Sequence, residues 1–137
     1  PILTDLTDLS LLGKHAHWNL RGHQFLAIHE LLDKIVDTAR EASDDIAERM
    51  VTLDVPADGL SQSVAANTRL QPLPVRFIQT EEVVDTMSDR MLQVIGTIRE
   101  GIEATGELDP VTEDMLTGFA AELEKQLWFL QSHNTSI

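Results

Sequence analysis

Residues 54–80, DVPADGLSQSVAANTRLQPLPVRFIQT, decide how the rest of the chain must be arranged. Asp54, Pro56 and Gly59 stop whatever precedes them, and Pro72 and Pro74 break the stretch before Thr80. Its middle, from Leu60 to Leu70, has room for a short helix. On both sides, apolar residues recur at three- and four-residue spacings, the pattern of helices. Upstream, Leu3, Leu6, Leu9, Leu12 and Leu20 mark a helix over 2–19 that Gly22 closes. A second helix of roughly eight turns runs from Phe25 to Leu53. Downstream, Thr80 reads as the N-cap of a third helix, with Glu81 and Glu82 at the positive end of its dipole. That helix carries Val83, Met87, Met91, Val94, Ile95 and Ile98 and closes at Gly106. Asp109-Pro110 starts the fourth, an N-cap aspartate followed by proline at the first helical position. Leu116, Phe119, Ala120, Leu123, Leu127 and Leu130 give it an apolar face. Nothing reads as a strand, a repeat or a low-complexity tract.

Four helices with one connection of about 25 residues between the second and third predict an all-α, up-down-down-up bundle. Short loops join antiparallel neighbours, whereas a connection of that length can cross the bundle from end to end. This is the connectivity of ferritin-like bundles, and connectivity alone does not establish chemistry. The 137 residues fit one domain, expected over 1–137, and 42% hydrophobic with 24% charged residues is an ordinary globular composition. Ten basic against 23 acidic side chains give a net charge of −13, a field that repels duplex phosphates and attracts cations. The lack of cysteine excludes disulfides, thiol catalysis and zinc–thiolate sites. No run approaches the ~20 apolar residues of a membrane span, and no secretory pattern opens the sequence, so the cytoplasm is the expected location. The chain starts at Pro1, directly in a helical pattern, and residues upstream are expected.

The histidines are His15, His17, His23, His29 and His133, and three residues before them stand Leu12, Lys14, Leu20, Leu26 and Leu130. None is acidic, so the Glu-x-x-His pairs of an in-bundle di-iron site are absent. The second helix offers a different set. At about 100° per residue from His29, Asp33 lies near 40°, Asp44 near 60° and Glu48 near 100°. Ile28, Leu32, Ile35, Ala39, Ile46, Met50 and Leu53 take the sector expected to face the core. The midpoints of His29/Asp33 and Asp44/Glu48 are ~22 Å apart along the axis, too far for one helix to close. A second copy packed antiparallel about a two-fold axis brings the halves together twice, and His17 on the preceding helix can join His29. Imidazole and carboxylate without thiolate suit iron(II), manganese or zinc; carboxylates strengthen as ligands when iron passes from +2 to +3. The same acids also fit a solvated face of i,i+4 ion pairs with Arg40. His15, His23 and His133 read as surface or capping residues, and Trp18 and Trp128 as packing residues.

Lys14-His15-Ala16-His17-Trp18-Asn19-Leu20-Arg21-Gly22, Phe25, Ile28-His29-Glu30-Leu31-Leu32-Asp33, Asp44-Asp45-Ile46-Ala47-Glu48-Arg49 and Glu122-Leu123-Glu124-Lys125-Gln126-Leu127-Trp128-Phe129 closely resemble the Dps family, the mini-ferritins. The resemblance covers nearly the whole chain. It implies a hollow dodecamer of four-helix subunits with ferroxidase centres, holding one or two irons, at two-fold interfaces. His17, His29 and Asp33 would come from one subunit and Asp44 and Glu48 from its mate. It further implies Fe(II) oxidation by hydrogen peroxide or dioxygen, storage of ferric mineral and protection of DNA from oxidative damage. Trp18 would intercept stray oxidising equivalents. Asp109, Glu113 and Asp114 are candidates for a threefold iron-entry pore, or simply acids that suit a helix N-terminus. Members that compact DNA carry lysine-rich tails. Here Lys14, Lys34 and Lys125 are scattered and Gln131–Ile137 has no basic run, so DNA binding by this portion is not expected. The rival readings are a DNA-compacting nucleoid protein with a vestigial metal site and a plain helical interaction module.

Overall fold

The computed structural model describes residues 1–134, within which five helices and one strand pair form: α1 (Ile2–Asn19), β1 (Leu20–Arg21), α2 (Phe25–Thr52), α3 (Ser61–Asn67), β2 (Ile78–Gln79), α4 (Thr80–Thr105) and α5 (Pro110–Gln131). α1 packs on α2 and α4, and α5 packs on the same two helices from the other side. The bundle is the expected up-down-down-up one, with the short crossover helix where the 60–70 stretch allowed it.

A device too short to show in the sequence pins this order. Leu20 pairs with Ile78 and Arg21 with Gln79 in a parallel, two-residue bridge. It fastens the start of α4 to the corner between α1 and α2, so α4 must leave in the same direction as α2. The expectation of no strand is corrected here: two residues carry no alternation that a sequence pattern can reveal. The corner itself needs left-handed backbone at Gly22 (φ 127°) and Gln24 (φ 60°). A Cβ at Gly22 would lie 3.0 Å from both Gln79 Oε1 and Thr80 Oγ1, so the glycine admits the crossing strand as well as the turn.

The strand pair also moves one boundary. Thr80 is buried as the first residue of α4, and the N-cap is the extended Gln79, whose backbone is held by its partner Arg21. At the other predicted start, Asp109 caps α5 through the Thr112 backbone N–H with Pro110 in the first turn. The core is built from the expected positions. Leu6, Leu9, Leu32, Ile35, Met87, Met91, Ile98, Leu123 and Leu130 are fully buried, each contributing about 1.5–3 kcal/mol of transfer free energy. Leu53 is the exception, half exposed as the C-cap of α2, because the helix ends before its core-facing stripe completes another turn. The crossover is tied down by acids on α1. Buried Asp5 accepts hydrogen bonds from the Arg69 backbone N–H at 3.2 Å and from its guanidinium at 2.7 and 3.0 Å, and Thr68 Oγ1 donates to Asp8 at 2.5 Å. His15 Nε2 donates to the Pro74 carbonyl at 2.8 Å and His133 Nδ1 to Gln24 Oε1 at 2.8 Å, structural roles in keeping with their assignment to no chemistry.

Candidate metal centre

His17 stands in the last turn of α1 and His29 in the second turn of α2, facing each other across the corner. Their rings stack at 3.6 Å between centroids with 13° between planes, and Phe25 continues the stack on His29 at 5.0 Å. The hydrogen bonds are reciprocal: His17 Nδ1 donates to the His29 carbonyl at 2.6 Å, and His29 Nδ1 donates to the His17 carbonyl at 2.7 Å. Because a carbonyl only accepts, each Nδ1 carries a proton, which in the neutral ring puts the lone pair on Nε2. The His17 carbonyl is among the last four of α1, groups that a helix cannot satisfy internally. The same bond therefore closes a helix end and holds the Nδ1–H tautomer, an arrangement of the kind that orients imidazoles for a metal.

Asp33, one turn beyond His29, brings its Oδ1 to 3.9 Å from His17 Nε2. Two donors each about 2.1 Å from one first-row ion sit roughly 3.0–4.2 Å apart, so this spacing admits a shared ion. The Asp33 carboxylate also accepts a hydrogen bond from Lys14, which lies three residues before His17 on the same face of α1. The Lys14 hydrogen bond is the main cause that holds the Asp33 carboxyl below the ordinary range; desolvation opposes it, and the fields of His17, Lys14 and His29 add to the lowering.

Asp44 and Glu48 lie on the same stripe of α2 but ~16 and ~22 Å further along its axis than Asp33. Both side chains are exposed. A hydrogen bond with Asp44, followed by the repulsion between the two carboxylates, raises the Glu48 pKa. Among the described residues, no single-chain group of three or more His, Cys, Asp or Glu is gathered closely enough to hold an ion. The structure thus assembles His17, His29 and Asp33 in one place and leaves Asp44 and Glu48 in another. The ladder of ion pairs with Arg40 does not form among the described residues; Asp33 pairs with Lys14 instead.

The remaining candidates separate. Asp109 is the cap of α5 and accepts Arg49 Nη2 at 3.1 Å on both oxygens and Thr112 Oγ1 at 2.5 Å. These contacts, the Thr112 hydroxyl first and Arg49 second, pull its pKa down to about 2. Glu113 lies against Gly106, and Asp114 opens into a different hollow shared with Glu41, Asp45 and Glu122. Trp18 and Trp128 are 68% and 64% exposed, so neither packs in the core of its own subunit. Trp18, Leu26 and Phe25 instead form an uncovered apolar margin beside the histidines. Lys14 was not singled out from the sequence, although its i−3 spacing to His17 places it on the ligand face.

The ferritin-like domain family profile matches residues 2–137. A DNA protection during starvation protein of Agrobacterium fabrum is 39% identical, over 96% of this chain and 82% of that protein. The fine tangled pili major subunit of Haemophilus ducreyi is 38% identical, over 96% of this chain and 69% of that protein. Among solved structures, Dps from Microbacterium arborescens in its high-iron form superposes with a TM-score of 0.94 at 31% identity, covering 99% of this chain and 89% of that one. The chain therefore belongs to the ferritin-like proteins and, within them, to the Dps family.

Proposed function

We propose that this protein stores and detoxifies iron, oxidising Fe(II) at centres completed between two subunits of a dodecameric shell in the cytoplasm. His17, His29 and Asp33 of one subunit and Asp44 and Glu48 of another bind the Fe(II) substrate. Two Fe(II) ions give one electron each to hydrogen peroxide, and two protons complete its reduction to two waters; with dioxygen in its place, the same two electrons and two protons yield hydrogen peroxide. The paired delivery of electrons avoids the hydroxyl radical that one-electron reduction of peroxide releases. Fe(III), favoured by carboxylates, then passes inward to the mineral. Trp18, exposed beside His17, is placed to take up oxidising equivalents that escape. The observation that carries this reading is the reciprocal pair of Nδ1–carbonyl hydrogen bonds, which leaves Nε2 as the nitrogen of each ring available to a metal, that of His17 standing 3.9 Å from Asp33 Oδ1.

Shielding of DNA follows from removing iron and peroxide together. Direct wrapping is a poor match for a charge of −13 and three lysines, of which Lys14 is already engaged by Asp33. Asp109, held by Arg49, is a helix cap; Glu113 and Asp114 keep free carboxylates for an entry path. The test is Asp44→Asn with Glu48→Gln. The double variant keeps the mass of the assembled shell and loses the fast phase of Fe(II) oxidation; an unchanged initial rate defeats the proposal. A gel-shift titration at two salt concentrations addresses the DNA-compacting rival, since phosphate binding must weaken steeply with salt.

A further inference from the structure

The stripe of α2 that carries the candidate ligands is longer than the ligands alone, and it is symmetric. At about 100° per residue, Leu26, His29, Asp33, Asp37, Arg40, Asp44, Glu48 and Val51 all fall in one sector ~100° wide. Leu26 and Val51 are 62% and 59% exposed, an unusual expense of apolar surface at both ends of one face. Asp37 and Arg40, at its centre, are exposed and have no hydrogen-bond or ion-pair partner among the described residues. About the peptide bond between Thr38 and Ala39, the stripe maps onto itself in reverse: Leu26 onto Val51, His29 onto Glu48, Asp33 onto Asp44 and Asp37 onto Arg40.

Taking the antiparallel two-fold packing of the shared-site reading as given, with its axis beside the Thr38–Ala39 peptide, we propose that Asp37 and Arg40 form two reciprocal ion pairs across that axis which set the register. The proposal rests on the shared-site reading above and supplies what that reading lacks, the feature that aligns the halves. A single register satisfies every position together. It sets His29 opposite a carboxylate, meets Leu26 with Val51 at both rims, and gives each central charge its opposite. Sliding one helix by four residues one way brings Asp37 to Asp44 and takes His29 away from Glu48; sliding it four the other way leaves Asp37 at the position of Val36 and parts Leu26 from Val51, so only the central register pairs every position. A symmetric interface requires this self-complementarity, because a residue that faces j on one copy must be faced by j from the other. Pairs that span about 20 residues stay in reach only if the helices cross at the shallow angle of about 20° common in bundles.

Charge reversal with rescue tests it. Asp37→Arg alone or Arg40→Asp alone sets like charges across the axis; Asp37→Arg with Arg40→Asp restores opposite pairs in the same register. Each variant is read by sedimentation for mass, by circular dichroism for helix content and by calorimetry with Zn(II) alone as the probe. The expected result is normal helix content throughout, at least tenfold weaker Zn(II) binding and a shift toward dissociated subunits in each single variant, and recovery of both in the double one. Single variants that keep wild-type mass and Zn(II) affinity overturn the register, as does a double variant that recovers neither. The shared-site reading is judged separately on Asp44→Asn/Glu48→Gln. If those changes abolish Zn(II) binding while the reversals do nothing, the site stands and only its alignment by Asp37 and Arg40 falls. If they too leave Zn(II) binding intact, both fall.

Discussion

The two ends of α2 carry the same kinds of side chain on the same stripe, yet the fold treats them oppositely. At the N-terminal end, His29 and Asp33 are gripped by α1: a ring stack, two Nδ1–carbonyl hydrogen bonds and an ion pair to Lys14. At the C-terminal end, Asp44 and Glu48 are exposed and touch chiefly each other, although Arg49, the next residue, is bound firmly to Asp109 and Thr112. One end is a pair of imidazoles locked by hydrogen bonds beside an acid. The other is a pair of mutually repelling carboxylates next to an anchored arginine. The contrast teaches that the directional contacts of the His29 end are built by folding of the single chain, whereas the Asp44 and Glu48 carboxylates gain no comparable partners within it.

The largest effect should come from breaking the gripped end. His29→Ala removes a ligand, the ring stack and the partner of the His17 carbonyl together. It should destabilise the subunit by about 2 kcal/mol in denaturant titration, the scale of an orphaned buried polar group, and lower Zn(II) affinity at least ~100-fold. Asp44→Asn with Glu48→Gln, at the free end, should lose Zn(II) binding as well while shifting Tm by under about 2 °C. Equal stability losses at both ends would erase the comparison.

Lys14→Met sharpens it. Lys14 occupies the Asp33 carboxylate, so on the proposed reading the ammonium and the metal compete for one anion. Removing the amine should tighten Zn(II) binding about tenfold in calorimetry, whereas Lys14→Arg keeps the positive charge and should stay near wild type. The pair is partly exposed on both sides, at 24% and 42%, so the thermal midpoint should move by a few degrees at most. Unchanged affinity in Lys14→Met would show that the ion pair only links α1 to α2.

The bundle and the shared stripe of α2 could be read from the chain because each rests on a repeated signal. Helical spacing locates the core, the 54–80 connection gives the helix order, and the angles of His29, Asp33, Asp44 and Glu48 put these candidate ligands on one stripe. What escaped reading depends on single contacts between residues far apart in sequence. The Leu20–Ile78 bridge has no pattern of its own; Asp5 and Asp8 look like ordinary first-helix acids until Arg69 and Thr68 arrive. Leu53 continues an apolar period that the backbone abandons one residue earlier. Trp18 illustrates the converse limit, since an aromatic ring that reads as a packing residue is 68% exposed on the folded chain.

The smallest effect concerns how the free end keeps its place. Arg49 ties the last turn of α2 to the start of α5, so the Asp109 carboxylate that holds it must remain ionised. Its pKa falls from an ordinary 3.8 to about 2, by the Thr112 hydroxyl and then Arg49. A carboxyl depressed in the folded state binds its proton more readily when unfolded, so its contribution is fully present above pH ~4 and fades as pH falls through about 2. Asp109→Asn retains an oxygen for the helix cap but has no charge to lose. Thermal unfolding followed from pH 5 to pH 2 should therefore fall more steeply for wild type than for Asp109→Asn, the two curves converging at the acid end. Hydrogen exchange in that window should speed up first at 48–52, while the amides around His29 remain protected by contacts that involve no titration of Asp109. Parallel curves, or loss of protection at both ends together, would mean that the C-terminal half of α2 is held by packing of the helix body and not by this one ion pair.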